Sequence, residues 1–307
     1  MKEKTTRMSP GIMISQTWPD TCDSYGETVD ALRFVVEDGY FQAVQTVHVQ
    51  DKAERREIAR LVAVSGVHYT YAIARLQKKQ ELNLSSLDES EQKRAVVAVT
   101  EMIDDAIEAG AHSVCIVSGR RPPNKDDRII SLSVLENSLV MLGRYASKSN
   151  IELLIEPLDF SADKMQSLGT IREAETLVSK LQTRGVAVGL CVDTAHMVLN
   201  RESLDASWFE STSDESPMRE LHFCNAIIDK DHPDFGDKHI VFGSPGVLDV
   251  TDLPRLLKYA LDSVVNARQS HLRVFCEILN SEPKNEAFGR NLYQYVKDLF
   301  LTLQEDT

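Results

Sequence analysis

The sequence predicts a single closed (β/α)8 barrel, and three observations lead there. Eight short β-rich runs alternate with helical stretches along the chain. Their spacings suit right-handed parallel crossovers, and 307 residues is the size of one such barrel. An open doubly wound sheet would want a glycine-rich phosphate loop after an early strand, and none of the first three strand ends carries one. The expectation is one domain over residues 1–307, without a linker or low-complexity tract.

The elements follow in order. Residues 10–16, PGIMISQ, read as the first strand. A helix over 24–38 carries the stripe Val29, Leu32, Phe34 and Val36 and ends at Gly39. Residues 41–49 give strand two, a charged helix runs to Gly66, and 67–74 give strand three. A long amphipathic helix ends at Gly110, before the fourth strand at 113–118. The turn-rich loop GRRPPNKDDR precedes a helix from about 130 to 148. Residues 151–156, IELLIE, are strand five, stopped by Pro157. A helix near 170–183 leads to VAVGLCVD, strand six. A short helical stretch and the polar loop STSDESP precede strand seven, RELHFC at 219–224. Residues 225–247 read as a long irregular loop over the site. A helix with Pro254 in its first turn precedes strand eight, LRVFCEI at 272–278, and a last helix closes the chain.

Composition narrows the partners. Acidic residues outnumber basic ones 47 to 34, a formal charge of -13. Phosphate contacts need clustered Lys and Arg, so nucleic acid is not an expected partner, nor is an anionic membrane surface. No apolar run reaches the roughly 18 residues of a membrane span, and the N-terminal MKEKTTRMSPG has no apolar signal core. The five cysteines form no CxxC pair, and four lie in apolar runs, as buried thiols of a reducing cytoplasm would. The sequence allows a homo-oligomer without indicating one.

In such a barrel, function sits at the C-terminal strand ends. In strand six, Val186, Val188, Leu190 and Val192 alternate with Ala187, Gly189, Cys191 and Asp193. The same parity argument, applied to strands five to eight, turns Glu156, Asp193, His222 and Glu277 into the barrel. Ile155, Val192, Leu221, Phe223 and Cys276 then face the helices. Two charges roughly 4 Å apart repel by about 4 kcal/mol at an effective dielectric near 20. Three converging carboxylates therefore ask for protonation or for one divalent cation. Carboxylates with one imidazole suit Mn²⁺ or Mg²⁺ first, then Co²⁺ or Zn²⁺. The plainer alternative is separate salt bridges, with Asp193 merely capping the next helix and His196 idle on it. Arg273, Glu220 and Glu152 share the inward parity and are expected to pair at the opposite, stability end. His68, His112 and His271 begin strands and fall at that end too.

Glu156, DTAH at 193–196, His222, His239 ahead of GSPGVLD, and Glu277 together resemble the xylose isomerase-like barrels. These are the sugar and sugar-phosphate isomerases and epimerases, with endonuclease IV as a cousin. The resemblance implies Glu156, Asp193, His222 and Glu277 as metal ligands, and His196 and His239 as substrate-contacting groups. Asn225 stands where the family often has Asp, and Ile228 where ketose epimerases place Arg, which points away from a ketohexose epimerase. Endonuclease IV needs further histidines after strands two and three. His48 supplies one, but 72–74 are Ala-Ile-Ala.

Arg120 and Arg121 follow strand four, where they can clamp a phosphate or carboxylate or else answer Asp126 and Asp127 at the surface. Trp18, after strand one, can stack on a sugar ring or simply pack. The expected activity is proton transfer beside the carbonyl of a sugar or polyol-derived substrate through an enediolate, with Glu156 and Glu277 as base and acid. The alternatives are a metal-dependent dehydratase of an inosose or dehydroshikimate-like substrate, and a non-catalytic barrel.

Overall fold

The computed structural model describes residues 7–22, 26–205, 216–264, 270–282 and 285–305. Eight parallel strands close into a barrel. They are β1 (Arg7–Met13), β2 (Ala43–Val47), β3 (His68–Ala72), β4 (Ser113–Val117), β5 (Glu152–Glu156), β6 (Val188–Asp193), β7 (Met218–Phe223) and β10 (His271–Cys276). Sequence neighbours pair all the way round, and β10 closes on β1 from Arg7↔His271 to Gly11↔Phe275. The (β/α)8 expectation holds.

Helices cover the outside: α1 (Ile14–Thr17), α2 (Glu27–Asp38), α3 (Lys52–Ser65), α4 (Ala74–Lys79), α5 (Glu89–Glu108), α6 (Lys125–Ser147), α7 (Ile171–Thr183), α8 (Thr194–Leu199), α9 (Leu253–Val264) and α10 (Glu286–Glu305). The main apolar core lies between barrel and helices, and the outward Ile155, Val192, Leu221, Phe223 and Cys276 all belong to it. Helix starts are set by side-chain caps. Asp51 accepts from Glu54 N, and Thr170 and Glu173 form a reciprocal capping box on α7.

Three expectations shift. The first strand spans 7–13 rather than 10–16, because its pairing with β10 begins at Arg7 and the chain turns into α1 at Ile14. Helix α6 begins five residues early, since Asn124 caps it by accepting from Asp126 N. The expected loop at 225–247 contains an antiparallel hairpin, β8 (Asn225–Ile227) with β9 (Gly236–Ile240). Residues 24–25 of the expected first helix, and 211–215 of the STSDESP loop, lie outside the described residues.

At the N-terminal end of the strands the expected ion network is present. Arg273 Nε meets Glu220 Oε1 at 2.9 Å and its other arm lies 3.6 Å from Glu152, which Arg219 also holds at 3.0 Å. His68 stacks on His112, whose Nδ1 accepts from Tyr69 N, so both are spent on structure.

Candidate metal centre

The strand ends bring Glu156, Asp193, His222 and Glu277 together. Each offers a ligand atom, and the four atoms all lie within 4.8 Å of one another. β5, β6 and β7 end on three of them, and Glu277 follows directly on β10, its N–H bonded to Phe223 O. His222 Nδ1 sits 3.4 Å from Glu277 Oε2 and 3.9 Å from Glu156 Oε1. Among the described residues, no Lys or Arg pairs with any of the four.

Asp193 does cap α8, since Oδ1 accepts from Ala195 N at 2.7 Å and His196 N at 3.1 Å. Both bonds fall on one oxygen, so the cap and the cluster are served by the same carboxylate. His196 is not idle. Its Nδ1 faces Asp159 at 3.4 Å and its Nε2 faces Asp237 at 3.6 Å, fully inside the protein. His239 Nε2 lies 3.2 Å from both Asp237 Oδ2 and Glu277 Oε1.

The electrostatics are those of acids crowded out of water. Burial, then the nearby Glu277, Asp237 and Glu156, push Asp193 up to about 7 against the pull of His196. Burial also raises Glu156, opposed by His222 and reinforced by Glu277. Glu277 goes the other way, to about 2, because His239 and His222 outweigh its burial. Burial disfavours the charged imidazole of His196, but Asp159, Asp193 and Asp237 lift it to about 10. Three carboxylates and an imidazole from four strands, with two acids held up by burial and by neighbouring carboxylates, are a donor set a divalent cation fits.

Sequence reasoning missed several supporting residues. Gln16 donates to Glu277 Oε1 at 2.9 Å and approaches His239 Nδ1 at 3.2 Å, from the short helix read as strand. Asp159 is buried and accepts the backbone N–H groups of Ala162, Asp163 and Lys164. Burial works against its charge, but His196 and those N–H groups hold it down to about 2. Lys164 bridges Asp163 at 2.9 Å and Asp237 at 3.2 Å. Asp159 stands three residues past Glu156 in an otherwise apolar EPLDF run, and that was its available signal. Glu220, assigned to the stability end, also reaches upward, with Oε2 3.6 Å from His222 Nε2.

The two other expected substrate groups follow β4 and β1. Arg120 is exposed, its backbone carbonyl accepting from Asn83. Trp18 packs edge-on against Phe34 and tilted against Tyr293, with Gly289 close enough that a Cβ there would lie 2.5 Å from its ring. It edges an outer cleft of about 640 Å³ shared with Asp20, Glu27, Asp30 and Arg290. His48 is paired with Asp105 at 2.9 Å.

Asn225 explains its own departure. Its Nδ2 donates toward Val241 O, Gly243 O and Leu248 O, and its Oδ1 accepts from Leu248 N. A carboxylate would face three carbonyls with nothing to donate. Asn225→Asp is therefore expected to cost about 1–3 kcal/mol or more, the penalty of unsatisfied buried polar groups, read as a lower midpoint in urea unfolding. An unchanged midpoint would show that the turn at 241–248 does not depend on this amide.

A closed parallel barrel with its charged groups at the C-terminal strand ends defines the class. The chain belongs to the xylose isomerase-like TIM barrel family, whose model matches residues 32–265. Among curated proteins, none matches the chain. Solved structures share the fold at low identity. A putative xylose isomerase from Rhodospirillum rubrum has a TM-score of 0.74 at 17% identity, covering 96% of this chain and 99% of that one. A D-psicose 3-epimerase solved in the presence of D-fructose has a TM-score of 0.68 at 13% identity, covering 96% and 98%. The IolI protein with a bound zinc atom has a TM-score of 0.66 at 13% identity, covering 97% of each chain. No helix among the described residues is long and apolar enough to cross a membrane.

Proposed function

We propose that the protein is a divalent-metal-dependent isomerase or epimerase of a sugar or sugar-like hydroxy-carbonyl substrate. One observation carries the reading: four acidic and imidazole side chains meet within 4.8 Å at the barrel mouth without a Lys or Arg partner among the described residues. Glu156, Asp193, His222 and Glu277 would hold the cation, with Mn²⁺ or Mg²⁺ preferred by the oxygen-rich set. When bound, it supplies Lewis acidity to the substrate carbonyl.

The remaining chemistry belongs to the chain. Glu156, whose burial favours the protonated form, exchanges a proton with the carbon beside the carbonyl. Glu277, oriented by Gln16 and His239, serves the other face. Return of the proton to the opposite face epimerises, and return to the neighbouring carbon isomerises. In this reading His239 contacts substrate hydroxyls, and His196, whose two nitrogens face Asp159 and Asp237, orients those carboxylates around it.

Metal uptake should depend on pH in a defined direction. Asp193 keeps its proton up to about pH 7 when no cation is present, so protons compete with the ion below that value. Mn²⁺ binding by calorimetry should weaken progressively from pH 7.5 to 5.5, and elemental analysis should find about one ion per chain. A protein that takes up no Mn²⁺, Mg²⁺, Co²⁺ or Zn²⁺ at pH 7.5 would not be this enzyme.

A further inference from the structure

Inside the barrel, one layer below the carboxylate cluster, two thiols face one another beneath Glu156. Cys115 on β4 and Cys191 on β6 are fully buried and pack together with Leu154 on the barrel axis side. Cys115 Sγ lies 3.8 Å from Glu156 Oε2, and Cys191 Sγ lies 3.3 Å from His222 Nε2. Cys115, Cys191 and Glu156 each place a ligand atom within 4.8 Å of the other two. A tetrahedral ion with bonds of about 2.3 Å to sulfur and about 2.0 Å to oxygen holds its ligands roughly 3.5–3.8 Å apart, so small side-chain shifts supply three of its four ligands.

We infer that Cys115, Cys191 and Glu156 form a second cation position, selective for thiophilic ions such as Cd²⁺ or Zn²⁺, under the oxygen-rich one. Glu156 is the shared wall. Its Oε2 faces Cys115, while Oε1 lies on the side of His222 Nδ1. The two positions divide cations by softness, since thiolates prefer Zn²⁺ and softer ions, and carboxylates with water prefer Mg²⁺ and Mn²⁺. The thiolate, not the thiol, is the form that ligates a metal. Binding therefore releases a proton from each thiol to solvent as its sulfur takes the ion. Hard cations do not displace those protons, so Mn²⁺ stays above. A soft ion below shares Glu156 with the upper position and should inhibit through it.

Cys224 offers the competing explanation, because it groups with His239 and Glu277 at the rim. The test adds one equivalent of Cd²⁺ to the chelator-treated protein and follows the ultraviolet sulfur-to-cadmium band. The expected result is a saturating band, reduced by half or more in Cys115→Ala and in Cys191→Ala and unchanged in Cys224→Ala. X-ray absorption of the wild-type cadmium complex should count two sulfur ligands, and this arm needs no variant to fold. Absence of the band, its loss only in Cys224→Ala, or a shell of oxygen and nitrogen alone would overturn the assignment. None of these readouts involves turnover, so the proposed enzymatic activity stands or falls separately.

Discussion

Replacing Glu156 with glutamine is expected to lower turnover by about 10²–10⁴-fold, the usual contribution of a positioned general base. The substitution keeps the side chain's shape and removes its capacity to take a proton. The neighbours make that capacity specific to this position. Burial and Glu277 raise Glu156, whereas Glu277 itself is held at about 2 by His239 and His222. Two carboxylates whose surroundings push their proton affinities apart are the arrangement that divides base from acid. The assay is deuterium incorporation from D₂O into the carbon beside the carbonyl, across a panel of ketoses and keto-glycosides. It must run at saturating Mn²⁺, because Glu156 is also assigned to the cation and the variant should bind it more weakly. Near-normal exchange with metal bound would remove Glu156 from the chemistry and leave it a ligand only.

The barrel and the four cluster residues were legible because both follow from short-range rules. Strand parity is a two-residue period, so one inward Glu or His at a strand end fixes the faces of its neighbours. Ile155, Val192, Leu221 and Cys276 packing outward are the same rule seen from behind. What failed to show were partnerships between segments far apart in the chain. Gln16 meets Glu277 across 261 positions, and Lys164 reaches the backbone of Asp237 across 73. The β8–β9 hairpin escaped for a local reason. Asn225–Ile227 and Gly236–Ile240 are short and lack a sustained alternation, and their pairing shifts register between Asn225 and Ala226. Trp18 was ambiguous because an aromatic after a strand fits a ring-stacking role and a packing role equally well. The contact partners Phe34 and Tyr293 are visible only in three dimensions.

The largest stability effect is expected at the other end of the barrel. Arg273→Met should cost about 3–5 kcal/mol, since it strips the cation from a buried carboxylate. Glu220 is completely inaccessible, accepts from the Thr70 hydroxyl, and pairs with Arg273 Nε at 2.9 Å. Burial alone would raise it, but Arg273, then His222, hold it at about 2. Its folded value thus lies below the ordinary 4.5. The stabilisation it contributes is present above pH 4.5 and is lost as pH falls toward 2. In Arg273→Met that dependence should flatten or reverse, because Glu220 then prefers its proton and the native state holds it to higher pH. Urea unfolding of both proteins at pH 7 and pH 4 separates the outcomes, the gap in midpoint being large at pH 7 and smaller at pH 4. The double variant Arg273→Met/Glu220→Leu should recover most of the loss, because a buried pair replaced by apolar groups of similar volume is often neutral. Since Glu220 Oε2 also faces His222 Nε2 at 3.6 Å, that rescued protein should still bind Mn²⁺ more weakly than the wild type. Equal affinity would mean that the ion network supports the barrel alone and leaves the orientation of His222 to its upper neighbours.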